Sequence, residues 1–272
     1  MDSFRPVSAQ SELVLGRIFA SRAQLHPERP VVVDEAGGYS AAYGEHLARV
    51  RHLGVVMGRE LGLHPSDRFA VVARNRHEYI ELWHAALLGA GVVTPINSRL
   101  SPGEVAHILD DSGAKAVFVD STGAELLRAA MRVAGGAPPQ VVLIGSDTGV
   151  ELDFQGGYDQ LLAGLPEATS AAWTSGTGEP AEDQPAVLMY TGGTTGLPKG
   201  VVLSHRAQVL NQYHSLLALP VPDGWKFLQH TPLYHAGATT AMVRGPMTGA
   251  TIFCIPNFEP EAFMSATRYG NS

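Results

Sequence analysis

Residues 190–200 read Tyr-Thr-Gly-Gly-Thr-Thr-Gly-Leu-Pro-Lys-Gly and lie between two short apolar runs, Ala186–Met189 and Val201–Leu203. Apolar runs of this length predict strands, so we expect the glycine-rich segment to be a loop that joins two strands. Its glycines permit positive φ values and a close approach of the backbone to a ligand, and successive amides in such a turn can form an anion-binding nest. We therefore interpret the segment as a polyphosphate-binding loop.

Three threonines and one lysine supply the polar side chains of this loop. The hydroxyls of Thr191, Thr194 and Thr195 can donate hydrogen bonds to phosphate oxygens, and Lys199 adds a mobile positive charge. The segment is not a Walker loop, in which Gly-Lys is followed by Ser or Thr at a helix start, because here a proline precedes the lysine and a glycine follows it. A glycine-rich hairpin turn with an ordinary surface lysine is the alternative interpretation.

The composition is that of an ordinary globular protein and argues against several functions. Hydrophobic residues make up 45% of the 272-residue chain and charged residues 17%, which leaves ample material for a core. A net charge of −7 argues against sequence-independent binding to nucleic acid, which needs a basic face. The apolar runs are too short for a transmembrane segment. The single cysteine, Cys254, excludes an internal disulfide framework and fits a reducing compartment, so we predict a cytoplasmic protein.

Runs of apolar residues alternate with stretches of helical periodicity along most of the chain. Such alternation predicts an α/β fold with largely parallel strand pairing. We expect strands at Val31–Val33, Arg68–Ala73, Lys115–Val119, Gln140–Ile144, Phe227–His230 and Ala250–Ile255. We expect helices at 11–26, Tyr43–Leu61, His77–Ala90, 124–133 and 205–218, one that opens at Ser101-Pro102, and an apolar one after Gly237.

Residues 165–185 interrupt this alternation. They are rich in proline, glycine, serine, threonine and alanine and carry acidic but no basic residues. We interpret them as a flexible acidic linker on the surface. The predicted organisation is an α/β subdomain at 1–164, the linker at 165–185, and an α/β segment at 186–272 that carries the glycine-rich loop.

The loop at residues 190–200 resembles the phosphate-binding signature of the adenylate-forming, or AMP-binding, superfamily. That superfamily includes acyl-CoA synthetases, firefly-luciferase-like enzymes and the adenylation domains of peptide synthetases. The usual signature has serine where this chain has Gly192. The likeness extends to Leu87–Asn97 and to the turn Pro232–Gly237, where acyl-CoA synthetases have a histidine between the nucleotide and the acyl channel. That histidine would be His235; its alternative interpretation is a strand-end histidine hydrogen-bonded to the backbone.

The resemblance implies a two-step reaction and a set of functional residues. A small-molecule carboxylic acid attacks the α-phosphate of ATP to give an acyl-adenylate and pyrophosphate, and the thiol of coenzyme A then displaces AMP. Lys199 and Thr195 would be catalytic, with Thr195 also a ligand of Mg²⁺, and His235, Ala236 and Gly237 would bind the acid. The residues implied to bind the nucleotide are Thr191, Gly192, Gly193, Thr194, Thr195, Gly196 and Lys199.

The resemblance also implies that this chain is the first part of the large N-terminal domain of such an enzyme. The sequence lacks the family's aromatic-Gly-x-Thr-Glu motif, its ribose-binding aspartate, its hinge and its small C-terminal domain with a catalytic lysine. We therefore expect this chain to be inactive alone. Apolar residues after His235 predict a pocket for aliphatic or aryl acids. Two alternatives stay open: a non-catalytic nucleotide-binding or assembly module, and an adenylation domain that serves a carrier protein.

Overall fold

The computed structural model describes residues 13–145, 149–164, 180–192 and 196–256. Within these ranges strands and helices alternate and build two β-sheets, which confirms the α/β prediction. The helices are α1 (Leu15–Leu25), α2 (Tyr43–Glu60), α3 (His77–Leu87), α4 (Pro102–Ser112), α5 (Ala124–Met131), α6 (Tyr158–Ala163), α7 (His205–Ala218) and α8 (Gly245–Thr248), with a π-helical turn at Thr240–Arg244 before α8. The strands are β1 (Pro30–Asp34), β2 (Tyr39–Ala42), β3 (Arg68–Val72), β4 (Val92–Pro95), β5 (Ala116–Asp120), β6 (Gln140–Ile144), β7 (Phe154–Gly157), β8 (Pro185–Thr191), β9 (Lys199–Ser204), β10 (Lys226–Gln229) and β11 (Thr251–Cys254).

The larger sheet has seven strands in the order β7-β6-β5-β3-β4-β8-β9. Neighbouring strands pair in parallel except for β8 and β9, which run antiparallel. Strands β3 and β5 are buried almost throughout, because helices cover both faces of a parallel sheet. The apolar runs in the sequence reflect this double burial, and the prediction of largely parallel pairing is confirmed.

The smaller sheet has four strands in the order β10-β11-β1-β2. Strand β1 pairs in parallel with β11, where Val32 lies opposite Ile252, and antiparallel with β2. Each sheet therefore takes strands from both sides of residues 165–179. Most of the predicted linker lies outside the described residues, and the boundaries at 164 and 186 stay a prediction.

Helices α2 and α3 pack against each other and fill the main core, in which Tyr43, Tyr79 and Trp83 are fully buried. A second cluster of buried apolar side chains lies between α4, α5 and the larger sheet. Within the described ranges, no helix is both long enough and apolar enough to cross a bilayer.

Two helix starts follow directly from the sequence. In α4, the Ser101 hydroxyl accepts a hydrogen bond from the Glu104 amide, and the Glu104 carboxylate accepts one from the Ser101 amide. This capping box satisfies amides that have no partner inside the helix. In α7, the Ser204 hydroxyl accepts from the Ala207 amide in the same way, as its sequence position predicts.

The helix predicted after Gly237 is interrupted. A π-helical turn at Thr240–Arg244 precedes the short α8. Pro246 is the physical reason, because it has no N–H to donate to the carbonyl of Met242 four residues earlier. That carbonyl instead accepts a hydrogen bond from Nε2 of His84, at 3.0 Å. A side chain from α3 therefore satisfies the acceptor that the interruption leaves free.

Candidate active site

The glycine-rich loop joins β8 to β9, as the sequence predicts. Thr191 pairs with Lys199 at the last rung of this antiparallel ladder, and the Thr191 hydroxyl donates to the Lys199 carbonyl at 3.4 Å. The centre of the loop, residues 193–195, lies outside the described residues, and so do the predicted roles of Gly193, Thr194 and Thr195.

The glycines at the two ends of the loop, Gly192 and Gly196, have no close neighbour among the described residues. Gly192 does not have a left-handed φ, so its backbone does not demand glycine. A Cβ at either position would meet no atom of the described residues within 4 Å. Both glycines are exposed, so a ligand can approach their backbones, which is what a phosphate-binding loop needs.

Packing restricts the side chain at position 200 but not the one at position 199. Lys199 is exposed at the start of β9, so its ammonium group is accessible to an anion. At Gly200, a Cβ would lie 3.0 Å from Leu188 and 3.2 Å from the ring of Tyr190. Packing against this ring explains Gly200, whereas packing does not explain the lysine.

Helix α4 contacts both arms of the loop, which are the segments before and after its centre at residues 193–195. The Tyr190 hydroxyl donates to the Asp111 carboxylate at 2.6 Å, and Nε2 of His107 donates to the Pro198 carbonyl at 3.0 Å. Burial, together with the hydrogen bond to Asp111 and its charge, raises the pKa of Tyr190, so the phenol stays protonated as a donor. Sequence reasoning missed these two α4 residues, because their partners lie 79 and 91 residues away.

The turn at Pro232–Gly237 follows β10 and presents its predicted substrate-binding residues to solvent. The amide of His235 donates to the Pro232 carbonyl at 3.0 Å, and the amide of Ala238 donates to the His235 carbonyl at 2.9 Å. His235, Ala236 and Gly237 are all exposed. The His235 ring lies beside Tyr234, with ring centroids 4.6 Å apart. Its imidazole is therefore accessible to a ligand.

The apolar residues that follow the turn pack into the main core. We expected six small or apolar residues to line an acyl pocket, Ala236, Gly237, Ala238, Ala241, Met242 and Val243, and the last four are buried in this core instead. The most exposed residues of the turn are thus His235, Ala236 and Gly237, with Pro232 and Tyr234 partly exposed.

Asn75 ties this turn to the larger sheet. It follows β3 and is 3% exposed. Its amide nitrogen donates to the carbonyls of Thr231 and Ile255, both at 3.1 Å, and its amide oxygen accepts from the Leu233 amide at 2.8 Å. The indole of Trp83 donates to the Leu233 carbonyl at 3.2 Å. Side chains from β3–α3 therefore hold both polar backbone groups of Leu233.

The topology places the loop and the turn at corresponding ends of their sheets. Strands β3, β4 and β8 are parallel, so Asn75 and the loop lie at the carboxyl edge of the larger sheet. The turn lies at the carboxyl end of β10 in the smaller sheet, and Asn75 joins the two edges. In open α/β sheets, ligands bind beyond the carboxyl ends of the strands. Sequence reasoning missed Asn75, whose one local signal was its place directly after a buried strand.

A pair of buried histidines supports the segment after the turn. Because Nε2 of His84 donates to the Met242 carbonyl, its Nδ1 must accept, and it takes a hydrogen bond from Nε2 of His46 at 2.8 Å. Burial lowers the pKa of both rings, that of His84 to about 4, so both are neutral at pH 7. The pair acts in packing and hydrogen bonding between α2, α3 and the π-helical turn.

One cluster has the residue types of a metal site. Ligand atoms of Asp34, His77 and Glu78 lie within 4.8 Å of one another. Both oxygens of Glu78 pair with Arg76 at 2.7 Å, and Asp34 accepts from the amides of Gly37 and His77. Although burial opposes its ionisation, hydrogen bonds from His77 and Gly37 lower the pKa of Asp34. The cluster is a closed ionic network at the start of α3, in which a cation would have to compete with Arg76.

Comparison with known proteins gives one family. The sequence profile described as AMP-binding enzyme matches residues 19–269. Long-chain-fatty-acid–CoA ligase FadD13 of Mycobacterium tuberculosis is 29% identical over 249 residues, which cover 90% of this chain and 46% of that protein. Feruloyl-CoA synthase of an Amycolatopsis species is 31% identical over 254 residues, which cover 93% and 46%. This chain spans about half the length of the curated relatives it matches.

Solved structures agree with the sequence comparison. The N-terminal domain of FACL13 from Mycobacterium tuberculosis, solved with an inhibitor, has a TM-score of 0.74 and 27% identity, with 93% of this chain and 59% of that chain covered. The luciferase-like enzyme of the mealworm Zophobas morio has a TM-score of 0.79 at 19% identity, with 97% and 59% covered, a likeness of fold. The resemblance to the N-terminal part of adenylate-forming enzymes is confirmed.

Proposed function

This chain belongs to the family of AMP-binding enzymes, and from that membership we propose that it forms the nucleotide-binding part of an ATP-dependent acyl-CoA ligase. The proposed enzyme converts a carboxylic acid and ATP into an acyl-adenylate and pyrophosphate, and then transfers the acyl group to the thiol of coenzyme A with release of AMP. One observation carries the proposal: Asn75 joins the carboxyl edge that bears the loop and Lys199 to the turn that bears His235. The two exposed side chains therefore lie at the edges of two sheets that Asn75 joins.

The loop would bind the polyphosphate of ATP. Lys199 is exposed, as are Gly192 and Gly196, so its charge can approach the β- and γ-phosphates as pyrophosphate leaves. A positioned cation of this kind stabilises charge that develops in the transition state. The proposed nucleotide-binding residues are Thr191, Gly192, Gly193, Thr194, Thr195, Gly196 and Lys199.

Mg²⁺ would neutralise phosphate charge in this site. The proposed protein ligand is the hydroxyl of Thr195, a hard oxygen donor of the kind that Mg²⁺ prefers. Among the described residues, no atom lies within 4 Å of where a Cβ of Gly192 or Gly196 would be, which fits an approach of the hydrated ion with its phosphates. When bound, the ion supplies electrostatic stabilisation of the leaving pyrophosphate. Lys199 would add a second positive charge near the same phosphates.

His235, Ala236 and Gly237 would bind the acid. They combine one titratable ring with small residues, so they orient a carboxylate but offer no countercharge for an ammonium group. We propose an aliphatic or aryl carboxylic acid as the substrate. The names of two relatives, a ligase of long-chain fatty acids and a feruloyl-CoA synthase, support this choice. We also propose a cytoplasmic location, which the single buried thiol of Cys254 supports.

The decisive experiment is ATP–pyrophosphate exchange with the protein expressed from its complete gene. A panel of aliphatic and aryl acids is tested, with amino acids as the contrasting class. We expect exchange with at least one simple carboxylic acid and, on addition of coenzyme A, release of AMP with formation of a thioester. Exchange without transfer to coenzyme A would show that the acyl acceptor is not coenzyme A. No exchange with any acid would refute the proposed activity.

A further inference from the structure

We propose that helix α4 positions the phosphate loop, with His107 as a positioning residue for Lys199 and Asp111 as the residue that holds the opposite arm. The inference rests on the polyphosphate role proposed for the loop. Neither α4 residue would contact ATP. Each would act through a residue of the loop that it holds in place.

His107 fixes the peptide unit that leads into the lysine. Its Nε2 donates to the carbonyl of Pro198 at 3.0 Å, and that carbonyl belongs to the same planar peptide unit as the backbone nitrogen of Lys199. The next carbonyl, that of Lys199, accepts from the Thr191 hydroxyl at 3.4 Å. The backbone of Lys199 is thus held on both sides of its Cα. The direction in which its side chain leaves the strand is held with it.

Asp111 holds the other arm from the next turn of the same helix. His107 and Asp111 are four residues apart, so they lie on one face of α4. The Asp111 carboxylate accepts from the Tyr190 hydroxyl at 2.6 Å, and the Tyr190 ring packs where a Cβ of Gly200 would be. One helix face therefore contacts Tyr190 on the first arm of the loop and Pro198 on the second arm.

Helix α4 is suited to this role because it is rigid. Its opposite face is anchored in the second core by Val105, Ile108 and Leu109, which are at most 5% exposed. Its start is fixed by the capping box, and it ends at Gly113 with φ 57°, the left-handed conformation typical of a helix end. A displacement of the loop relative to α4 would require the loop contacts themselves to break.

The β8–β9 ladder already stabilises the strands, so the α4 contacts matter most for the position of the loop. The ladder pairs Tyr190 with Gly200 and Thr191 with Lys199 without help from α4. The His107 contact is half-buried and the Asp111 contact is exposed, so each contributes little to stability. Catalysis is more sensitive than stability, because a misplacement of about 1 Å can cost a factor of about 100 in rate.

The test compares three variants of the complete protein in ATP–pyrophosphate exchange. His107→Ala removes the donor, whereas His107→Gln keeps an N–H near the place of Nε2. Asp110→Ala is the matched control: it lies on α4 but accepts from the amides of Gly135 and Gly136, both at 2.9 Å, away from the loop. We expect kcat to fall about tenfold in His107→Ala and to stay within about threefold of the parent in the other two.

Several results would overturn the proposal. They are an unchanged kcat in His107→Ala, an equal loss in His107→Gln, and an equal loss in Asp110→Ala, which would indicate a general effect on the helix. If the parent protein shows no exchange with any acid, the proposed activity fails and binding of inorganic pyrophosphate, measured by calorimetry, decides the inference. Weaker binding in His107→Ala that is restored in His107→Gln would support it, and equal binding in all variants would reject it.

Discussion

Asn75 is the residue whose removal should cost the most stability at the candidate site. Asn75→Ala removes hydrogen bonds to three backbone groups from two separate segments. The Thr231 carbonyl keeps a second donor, the side chain of Gln229. The Leu233 amide and the Ile255 carbonyl lose the partner that Asn75 provides, and both residues are buried.

The expected loss of stability in Asn75→Ala follows from the Leu233 amide and the Ile255 carbonyl, which lose their hydrogen bonds to Asn75. A buried donor or acceptor left without a partner costs about 1–3 kcal/mol, and water that enters the space of the missing side chain recovers part of that cost. We therefore expect the free energy of unfolding to fall by about 2–4 kcal/mol. Asn97→Ala is the control, since Asn97 makes an exposed contact with the Arg99 amide and its loss should cost less than about 0.5 kcal/mol.

The assay is urea unfolding of the parent and both variants, followed by tryptophan fluorescence and by circular dichroism. Coincident transitions in the two signals justify a two-state analysis, and an unchanged m-value assigns the shift in midpoint to stability. A loss of less than about 1 kcal/mol in Asn75→Ala, or a loss equal to that of Asn97→Ala, would refute the reasoning. It would show that water satisfies both backbone groups.

Three further predictions concern charge and protonation. Lys199→Ala should lower kcat for adenylation by a factor of about 100 with little change in the affinity for ATP, because a charge aimed at the leaving pyrophosphate stabilises the transition state. A raised KM for ATP at constant kcat would show instead that Lys199 only binds ATP. His235→Ala should raise KM for the carboxylic acid while leaving ATP affinity and melting temperature nearly intact, and equal losses in all three would indicate a structural histidine. Burial lowers the pKa of His84 and His205 from 6.5 to about 4, so the unfolded chain binds more protons within that window. As the pH is lowered from 6.5 to 4, the free energy of unfolding should decrease by up to about 1.4 kcal/mol per pH unit for each ring. A free energy of unfolding that does not change with pH in urea titrations would contradict the burial of these rings.

The sequence predicts those parts of the fold that depend on local pattern. Buried strands such as β3 and β6 appear as continuous apolar runs, and the start of α7 appears in its capping serine. Strands β2 and β7 escape prediction because β2 (Tyr-Ser-Ala-Ala) and β7 (Phe-Gln-Gly-Gly) contain no β-branched residue, and half of each is alanine or glycine, which are depleted in strands. Partners across a sheet stabilise such segments, and a local pattern does not record those partners.

The candidate site likewise contains motifs that the sequence predicts and residues that only the structure identifies. The loop and the His235 turn are visible in the sequence because their residues are contiguous, and the structure describes the arms of the loop and the turn where the sequence predicts them. Asn75 and His107 act on backbone groups between 91 and 180 residues away. An asparagine after a strand and a histidine within a helix are common, so only the folded arrangement identifies their partners.

The pairing of β1 with β11 has a consequence for how the chain is made. Val32 lies opposite Ile252, so 220 residues must be synthesised before β1 meets this neighbour. At about 5–20 residues per second, the apolar edge of the β1–β2 hairpin stays uncovered for about 10–45 s during translation. An open apolar edge of this kind attracts other strands, so chaperones would be needed most in this interval. The turn that carries His235 follows β10 in the same sheet, so it acquires its fixed place only when β11 has joined β1 and the smaller sheet has closed.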